Sequence, residues 1–427
     1  MSVLKITGGQ PLRGTVEIQG SKNAALAILS AIPLASGKVT LRNLPDISDV
    51  KTKVDLLRGY GVVVEINGGT ATFDTSNIHH WEPDPELVRK IRTGFYMLGP
   101  LIARLGKAKL PMPGGCKIGA RPVDYHIRGL SILGAVVELV GGNYLADGEG
   151  MKGGEIYLDT PSAGATQHLM STACLVPGIT TIQNASSEPE VVALATFLEI
   201  IGARIEGVGT SSITVYGKEE LGGGEFAIPA DRIQAGTYLL AAAITGGDIT
   251  TTGILPENQT ALVSKLAEAG IPSEEGADWV RVWSDGRPNA IKVRTMPYPG
   301  FPTDIQQPMA ALLTIAKGTS TIEETIYESR TGHVNELVRM GAKVSSEGRT
   351  TVIEGVEQLS GAVVEASDLR AGAALCLAGL VANGDTYIKN VHYIDRGYQN
   401  LEQTIQGLGG TIERISAAEW EKNHPVT

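Results

Sequence analysis

The residues best suited to chemistry lie in a segment rich in glycine and proline, PMPGGCKIGARPVDYH at positions 111–126. This composition predicts a loop, with Cys116 near its tip, beside Lys117 and close to Arg121. Positive neighbours favour a thiolate over a thiol, so they make a cysteine more reactive than an isolated one. We therefore interpret Cys116 as a reactive thiol, and the simpler alternative is an incidental loop cysteine.

A second set of candidates recurs at one position in a repeated pattern, just before or at the start of a predicted helix. Its members are Lys22, Arg92, Ala163, Arg232, Asp304 and Arg370, which are 70, 71, 69, 72 and 66 residues apart. A helix start presents unpaired N–H groups and the positive end of the helix dipole, which favour anions. Four of the six residues are Lys or Arg, which oppose that dipole, so an anionic ligand explains them better than helix stability does.

Ordinary capping is the structural alternative at these helix starts. Side chains that can accept hydrogen bonds from the first turn precede or open most of them. The predicted caps are Ser21, Ser162, Asp231, Thr303 and Asp368. Capping accounts for those residues and leaves the basic ones unexplained.

The elements that position these residues come from six copies of one unit of about seventy residues. Glycines that follow an apolar helical pattern are spaced 73, 68, 68, 71 and 68 residues apart, at Gly61, Gly134, Gly202, Gly270, Gly341 and Gly409. Glycines between an Ala/Leu-rich helix and a strand keep a similar period, at Gly37, Gly106, Gly178, Gly247, Gly318 and Gly384. We expect both sets to include left-handed helix C-caps.

Each unit reads as helix, strand, helix, strand, with further short strands, so the sequence predicts an α/β protein. Units that bury one face against copies of themselves favour closed α/β domains. Six units divide most simply into three and three. The glycine-rich stretch at 221–232 is the predicted crossing, near residue 230.

Composition excludes several classes of function. The chain of 427 residues has a formal net charge of −10, which argues against a general nucleic-acid or anionic-membrane surface. We see no signal peptide and no apolar run of membrane-spanning length, and the three distant cysteines imply no disulfide framework. No His or Cys spacing is typical of a metal site. We therefore expect a cytoplasmic protein without metal or cofactor, with Cys174 and Cys376 as core thiols.

The motifs GSKNAAL, GGCKIGARPVDYHI, FPTDIQQ, ESRTGHVNELVRMGA, ASDLRAG and HYIDRGYQNLE resemble, in order and over nearly the whole chain, the enolpyruvyl transferase family. The resemblance is to its members that act on UDP-N-acetylglucosamine. It implies an inside-out α/β barrel with two domains of three repeats. One domain would span 21–229 and carry the cysteine loop at 111–122, and the other would span 1–20 and 230–427. The active site would lie in the cleft between them.

The resemblance also implies a reaction. The enolpyruvyl group of phosphoenolpyruvate would pass to the 3-hydroxyl of UDP-N-acetylglucosamine through a tetrahedral intermediate, with release of phosphate, at the first committed step of peptidoglycan synthesis. Cys116 would protonate the methylene carbon, and Asp304 would accept the proton of the sugar hydroxyl. Epoxides such as fosfomycin should alkylate Cys116.

Binding roles follow from the same motifs. Lys22, Arg121 and Arg396 would hold the phosphate and carboxylate, with Asn23 beside them. Asp368 and Arg370 would support the intermediate, and Arg330 belongs to the same set of substrate contacts. The expected sugar-nucleotide site comprises Arg92, Arg121, Pro122, Val123, Asp124, Tyr125 and Ile326.

Two alternatives remain open from the sequence. One is enolpyruvylshikimate-phosphate synthase, which would share the fold and the donor but does not use the cysteine loop. The other is a repeat scaffold that binds partners without chemistry. Asp304 could be only a capping residue, and Asp395 with Arg396 could be only a surface pair.

Overall fold

The computed structural model describes residues 2–112 and 123–423. They form two compact units. The N-terminal unit comprises residues 19–112 and 123–229, and the C-terminal unit comprises residues 2–18 and 230–423.

The helices of the described residues alternate with short strands along the whole chain. They are α1 Lys22–Ala31, α2 Ser48–Gly59, α3 Pro85–Lys90, α4 Leu98–Leu105, α5 Asp124–Ile132, α6 Ala163–Ala173, α7 Pro189–Ile200, α8 Arg232–Thr245, α9 Thr260–Glu268, α10 Thr303–Leu313, α11 Val334–Arg339, α12 Leu369–Gly379, α13 Leu401–Gly407 and α14 Ala417–Asn423. Short 3₁₀ segments lie at Ile32–Leu34, Arg92–Met97, Pro256–Gln259 and Val391–Arg396.

The strands are three to six residues long. They are β1 Ser2–Thr7, β2 Arg13–Glu17, β3 Lys38–Arg42, β4 Val63–Asn67, β5 Thr70–Asp74, β6 Lys107–Pro111, β7 Val136–Val140, β8 Asn143–Asp147, β9 Glu155–Tyr157, β10 Ile179–Gln183, β11 Arg204–Glu206, β12 Ser212–Tyr216, β13 Gly224–Ala227, β14 Asp248–Thr252, β15 Ser273–Glu275, β16 Trp279–Trp283, β17 Lys292–Arg294, β18 Thr319–Glu323, β19 Lys343–Glu347, β20 Thr350–Glu354, β21 Val363–Glu365, β22 Asp385–Lys389 and β23 Thr411–Ser416.

Within the part of the chain that the structure describes, these strands form six small sheets, one for each predicted repeat. Five sheets have four strands and share one plan, in which a parallel strand joins a central strand that two further antiparallel strands extend. The orders are β13-β3-β5-β4, β6-β8-β7 and β11-β12-β10-β9 in the N-terminal unit, and β15-β16-β14-β2, β17-β18-β20-β19 and β21-β22-β1-β23 in the C-terminal unit. The predicted six-repeat α/β architecture is confirmed.

In each unit three helices form the interior and the sheets lie outside them. Helices α8, α10 and α12 pack against one another in the C-terminal unit, and in the N-terminal unit α6 packs against both α1 and α4. Nearly every residue of α8 is buried, as expected for a helix that is surrounded by protein on all sides. Its alanines and glycine allow the close approach of neighbouring helices. The three helix starts of a unit are therefore set by one shared core.

The first glycine marker is left-handed throughout, since all six of its members have positive φ. The second marker differs at two positions. Gly246, one residue earlier than predicted, is the left-handed C-cap of α8, and Gly37 does not have positive φ. Gly247 is required for a different reason, because a Cβ there would lie 2.0 Å from the carbonyl oxygen of Leu12.

The first strands of the chain complete sheets made by its later parts. Strand β1 pairs with β22 and β23, and β2 pairs in parallel with β14. The sheet β6-β8-β7 lacks such a parallel strand among the described residues, and a single backbone bond from Lys109 to Trp81 stands in its place.

Arg92 does not begin an α-helix as the repeat predicted. It begins the 3₁₀ segment Arg92–Met97, and the regular helix α4 starts at Leu98. Pro100 has no amide hydrogen, so it cannot donate the α-helical bond to the carbonyl of Tyr96. One backbone hydrogen bond is therefore missing where the 3₁₀ segment meets α4.

Candidate active site

Asp304 is the centre of a charged cluster in the C-terminal unit. It is the second residue of α10, and Pro302, not the predicted Thr303, occupies the N-cap position. Its Oδ1 lies 2.8 Å from a guanidinium nitrogen of Arg330, and its Oδ2 lies 3.0 Å from one of Arg370. We call Asp304, Arg330 and Arg370 the aspartate cluster. Two fixed positive charges and the start of a helix favour the ionised carboxylate.

Arg370 comes from the first turn of the neighbouring helix α12 and is buried. It also donates a hydrogen bond to the Tyr398 hydroxyl over 3.2 Å, and that hydroxyl lies 2.8 Å from the Thr237 hydroxyl. Burial alone would lower the pKa of Arg370, but Asp304 and the other nearby groups raise it above its ordinary value. The guanidinium therefore remains charged although it is buried.

Asp368 is the N-cap of α12, as predicted, and accepts hydrogen bonds from the amides of Arg370 and Ala371. Its other oxygen accepts from the Gln307 side chain over 3.4 Å. The capping and substrate roles predicted for Asp368 are thus compatible, because capping occupies one oxygen of the carboxylate.

His333 is fully buried near Asp368 and Arg330. Burial lowers its pKa to about 4, with Asp368 acting in the opposite sense and Arg330 in the same sense. Neither of its ring nitrogens has a hydrogen-bond partner among the described residues. We therefore expect His333 to be neutral near pH 7.

Arg396 ends the 3₁₀ segment Val391–Arg396 and is half-buried. The carboxylate of the preceding Asp395 forms two hydrogen bonds with Arg414, at 2.6 and 2.9 Å. Asp395 therefore has a partner from strand β23.

The N-terminal unit carries a cluster of a different kind. Lys22 is the first residue of α1, where the Ser21 hydroxyl caps the helix by accepting a hydrogen bond from the Ala24 amide. The Lys22 ammonium lies 2.8 Å from the Asp49 carboxylate, and both side chains are largely buried. We call Lys22 and Asp49 the lysine cluster. The next residue, Asn23, is exposed.

The predicted sugar-nucleotide residues fall partly within the structure. Val123 precedes α5, Asp124 begins it, and the Tyr125 hydroxyl lies 3.2 Å from that of Thr160. Ile326 is half-buried in the C-terminal unit. Cys116, Arg121 and Pro122 lie outside the described residues. Of the predicted site residues, the structure brings Asp304, Arg330 and Arg370 into direct contact.

Sequence reasoning missed Lys53, a fully buried lysine in α2. Its ammonium donates to the Thr93 carbonyl over 2.6 Å, directly after Arg92, and burial lowers its pKa well below the ordinary value. A signal existed, because Lys53 lies at helical spacing between the apolar residues Val50 and Leu57.

A buried histidine pair was also missed. The amide of Gly99 donates to His168 Nε2 over 2.8 Å, so the hydrogen of a neutral His168 is on Nδ1. That atom lies 3.0 Å from Nδ1 of His126, which must then act as the acceptor. Burial lowers the pKa of His168 far below its ordinary value. The pair links α5, which begins at Asp124, to the core helix α6.

The two cysteines predicted to be core thiols, Cys174 and Cys376, are buried in the structure. Cys174 and Cys376 are buried free cysteines, and burial raises the pKa of Cys174 to about 12. Among the described residues, no helix is long and apolar enough to cross a membrane. The same residues contain no group of three His, Cys, Asp or Glu side chains arranged to hold a metal ion.

Comparisons with known proteins place this chain in one family. The family model described as EPSP synthase (3-phosphoshikimate 1-carboxyvinyltransferase) matches residues 6–405. The chain is 46% identical to UDP-N-acetylglucosamine 1-carboxyvinyltransferase of Idiomarina loihiensis over 98% of this chain and all of the relative. It is 47% identical to UDP-N-acetylglucosamine 1-carboxyvinyltransferase 3 of Symbiobacterium thermophilum, over 98% of this chain and all of that relative.

Solved structures agree. The enolpyruvyl transferase NikO from Streptomyces tendae superimposes with a TM-score of 0.89 at 25% identity, covering 97% of this chain and 99% of NikO. An EPSP synthase from Acinetobacter baumannii has a TM-score of 0.72 at 19% identity, covering 97% of this chain and all of that structure. The chain therefore belongs to the enolpyruvyl transferase family, within the group of UDP-N-acetylglucosamine 1-carboxyvinyltransferases.

Proposed function

We propose that this protein transfers the enolpyruvyl group of phosphoenolpyruvate to the 3-hydroxyl of UDP-N-acetylglucosamine and releases inorganic phosphate. The observation that carries the proposal is the aspartate cluster, a carboxylate held ionised by two arginines at the start of a core helix. Relatives with this activity in their names match 98% of the chain. The product would be the first committed intermediate of peptidoglycan synthesis.

The reaction proceeds by addition and elimination. A proton passes to the methylene carbon of phosphoenolpyruvate while the sugar hydroxyl attacks the neighbouring carbon and loses its own proton. Loss of phosphate and of one methyl proton from the tetrahedral intermediate then restores the double bond. The first step therefore needs an acid that reaches the methylene carbon and a base that reaches the sugar hydroxyl.

Asp304 is the base in this proposal. A carboxylate between two guanidiniums is ionised and ready to accept a proton, but its basicity is low while both arginines remain in contact. The donor carries two anionic groups that attract arginine. Binding of the donor would draw positive charge away from Asp304, and its basicity would then rise in the loaded enzyme.

Anion binding falls to residues of both units. Lys22 with Arg121 and Arg396 would hold the phosphate and carboxylate, and Asp368 with Arg370 would support the intermediate. Asn23 would contact substrate beside Lys22. The sugar nucleotide would contact Arg92, Arg121, Pro122, Val123, Asp124, Tyr125 and Ile326, with Arg330 close to the reacting hydroxyl. We propose that the domain division is the one given by the repeats. We also propose that the protein acts in the cytoplasm.

A phosphate-release assay tests the function against its alternatives. Purified protein with phosphoenolpyruvate should release phosphate when UDP-N-acetylglucosamine is the acceptor and not when shikimate 3-phosphate replaces it. Release with shikimate 3-phosphate alone would favour the EPSP synthase activity. No release with either acceptor would leave a scaffold without chemistry.

Cys116 has the role of the acid. The basic residues around it favour the thiolate, so we propose that bound anions restore the protonated thiol. Cys116→Ala should lose turnover, whereas Cys116→Asp, which keeps an acidic group, should retain part of it. The same assay and a thiol-alkylation assay with fosfomycin, in which only the cysteine form should react, measure both effects. Equal activity of the two variants would contradict the general-acid role.

A further inference from the structure

Glu324, which follows strand β18, is a buried carboxylate with four hydrogen-bond donors around it. Its Oε1 accepts from the Thr295 hydroxyl over 2.9 Å and from the amides of Ile326 and Tyr327 over 2.8 and 3.2 Å. Its Oε2 accepts from the Thr303 hydroxyl over 2.8 Å. One side chain thus holds the backbone at Ile326 and the first residue of α10.

The Thr303 hydroxyl extends this contact to the aspartate cluster. An ionised carboxylate can only accept, so the single hydroxyl proton of Thr303 points at Glu324. The oxygen of Thr303 then accepts from NH1 of Arg330 over 2.8 Å. The other terminal nitrogen of Arg330 lies 2.8 Å from Asp304. The charge on Glu324 therefore sets the direction of the hydrogen bonds that run from Arg330 through the Thr303 hydroxyl to Glu324.

Arg330 is a buried arginine held by few groups among the described residues. Its side chain is 3% exposed, and its Nε has no hydrogen-bond partner among the described residues. Thr303 and Asp304 hold its two terminal nitrogens, and its guanidinium carbon lies 5.4 Å from the centre of the Tyr327 ring. Glu324 contacts both Thr303 and the Tyr327 amide, so it anchors Arg330 from two sides.

We propose that Glu324 is a positioning residue, which aims Arg330 at Asp304 through Thr303 and fixes the backbone at Ile326. The proposal rests on the proposed roles of Asp304 as base and of Ile326 as a sugar-nucleotide contact. It goes beyond them because it assigns one buried carboxylate to two tasks. The path through Thr303 serves turnover, and the path through the amides serves binding of the acceptor.

The two paths can be separated by substitution. Glu324→Gln presents an amide donor where donors already converge, so it disturbs both paths. Thr303→Val has nearly the same shape but removes the hydroxyl, so it breaks only the path to Arg330. Thr303→Ser keeps that hydroxyl. Glu323→Gln is the matched control, because the Glu323 carboxylate is half-exposed and pairs with Arg294.

The experiment measures kcat, the KM of each substrate and the thermal midpoint for the four variants. Glu324→Gln should lower kcat by about 10- to 100-fold and raise the KM of UDP-N-acetylglucosamine more than that of phosphoenolpyruvate. Thr303→Val should lower kcat similarly with little change in either KM. The acidic limb of its pH–rate profile should move to higher pH, since Asp304 loses part of its positive surroundings. Thr303→Ser and Glu323→Gln should resemble the parent.

A purely structural Glu324 would lower the thermal midpoint without this division between kcat and KM, and that outcome would overturn the proposal. Parent-like kcat in folded Thr303→Val would overturn the path to Arg330. Asp304→Asn separates these failures from a failure of the proposed function. If Asp304→Asn keeps full activity, the role of Asp304 is wrong. If it is inactive while Thr303→Val is not, only the inference about Glu324 fails.

Discussion

The starts of α1 and α10 occupy the same position in the repeat and carry opposite charges. Lys22 opens α1 and opposes the helix dipole, whereas Asp304 lies in the first turn of α10 and is favoured by it. Each is paired by groups outside its own helix. Lys22 has Asp49 from α2, and Asp304 has Arg330 and Arg370.

This difference shows that the helical core of each unit sets the position of the helix start. The side chains that contact this position decide which charge it can carry. A buried lysine is tolerable at a helix start because one carboxylate compensates it. A carboxylate held by two arginines is instead kept ionised in a region with excess positive charge. Under the proposed function, one fold position would supply an anion-binding cation in one unit and a proton acceptor in the other.

The largest effect should come from removing the charge at α10. Asp304→Asn keeps the shape of the side chain but cannot accept the hydroxyl proton, so kcat should fall by about 10²- to 10⁴-fold. Steady-state phosphate release measures this change. Asp285→Asn, at an exposed position of the same unit, is the control. A fall of less than tenfold would remove Asp304 from the role of base.

The pair at α1 allows stability to be separated from function. Lys22→Met or Asp49→Leu alone removes one half of a largely buried ion pair, and each should lower the free energy of unfolding by about 3 kcal/mol. The double variant should recover most of that loss and still lack activity, because the ammonium that we propose to bind the donor's anionic groups is gone. Denaturant unfolding and phosphate release measure the two quantities.

Recovery of activity in that double variant would contradict the functional role of Lys22. Failure to recover stability would instead show that the two side chains do not act as a pair.

A pH dependence of stability should appear at His333, which lies near Arg330 of the aspartate cluster. The folded-state pKa of His333 is about 4, below the ordinary 6.5, so between those values the unfolded chain binds a proton that the folded chain does not. The free energy of unfolding should therefore fall as the pH falls through this range, by about 3 kcal/mol in all. His333→Gln should flatten the dependence measured by denaturant unfolding.

His80→Gln, at an exposed position, serves as the control for that measurement. An unchanged pH dependence in His333→Gln would mean that His333 is not a buried neutral group.

Much of the architecture was predictable because its signals are local. The glycine spacings, the Ala/Leu-rich helices and the apolar flanks of Cys174 repeat along the chain without reference to distant residues. The same comparison of repeats found the candidate residues Lys22, Asp304 and Arg370. They occupy equivalent helix starts in different repeats, where the residue type changes from copy to copy. Thr303 was misassigned as a cap, because its hydroxyl has a stronger partner, Glu324, that lies 21 residues away.

The partners of these residues were not predictable, because they come from contacts between segments far apart in sequence. Nothing near Lys22 identifies Asp49 as its counter-charge, and nothing near Glu324 marks it among 46 acidic residues. Lys53 could have been noticed at its apolar helical position, but its contact with Thr93 could not. Burial decides which of many similar charges matter, and burial is a property of the folded chain.

The sequence by itself determined the repeat, the helix starts and the chemical types presented there, because helix periodicity and glycine turns depend on neighbouring residues. Only the tertiary structure decided which charges are compensated and in what direction their hydrogen bonds run. It also decided that strand β1 completes a sheet built mainly from residues 363–416, and that strand β2 completes one built from residues 248–283. The physical reason is the same in each case: pairing between distant segments is settled by packing, not by local propensity.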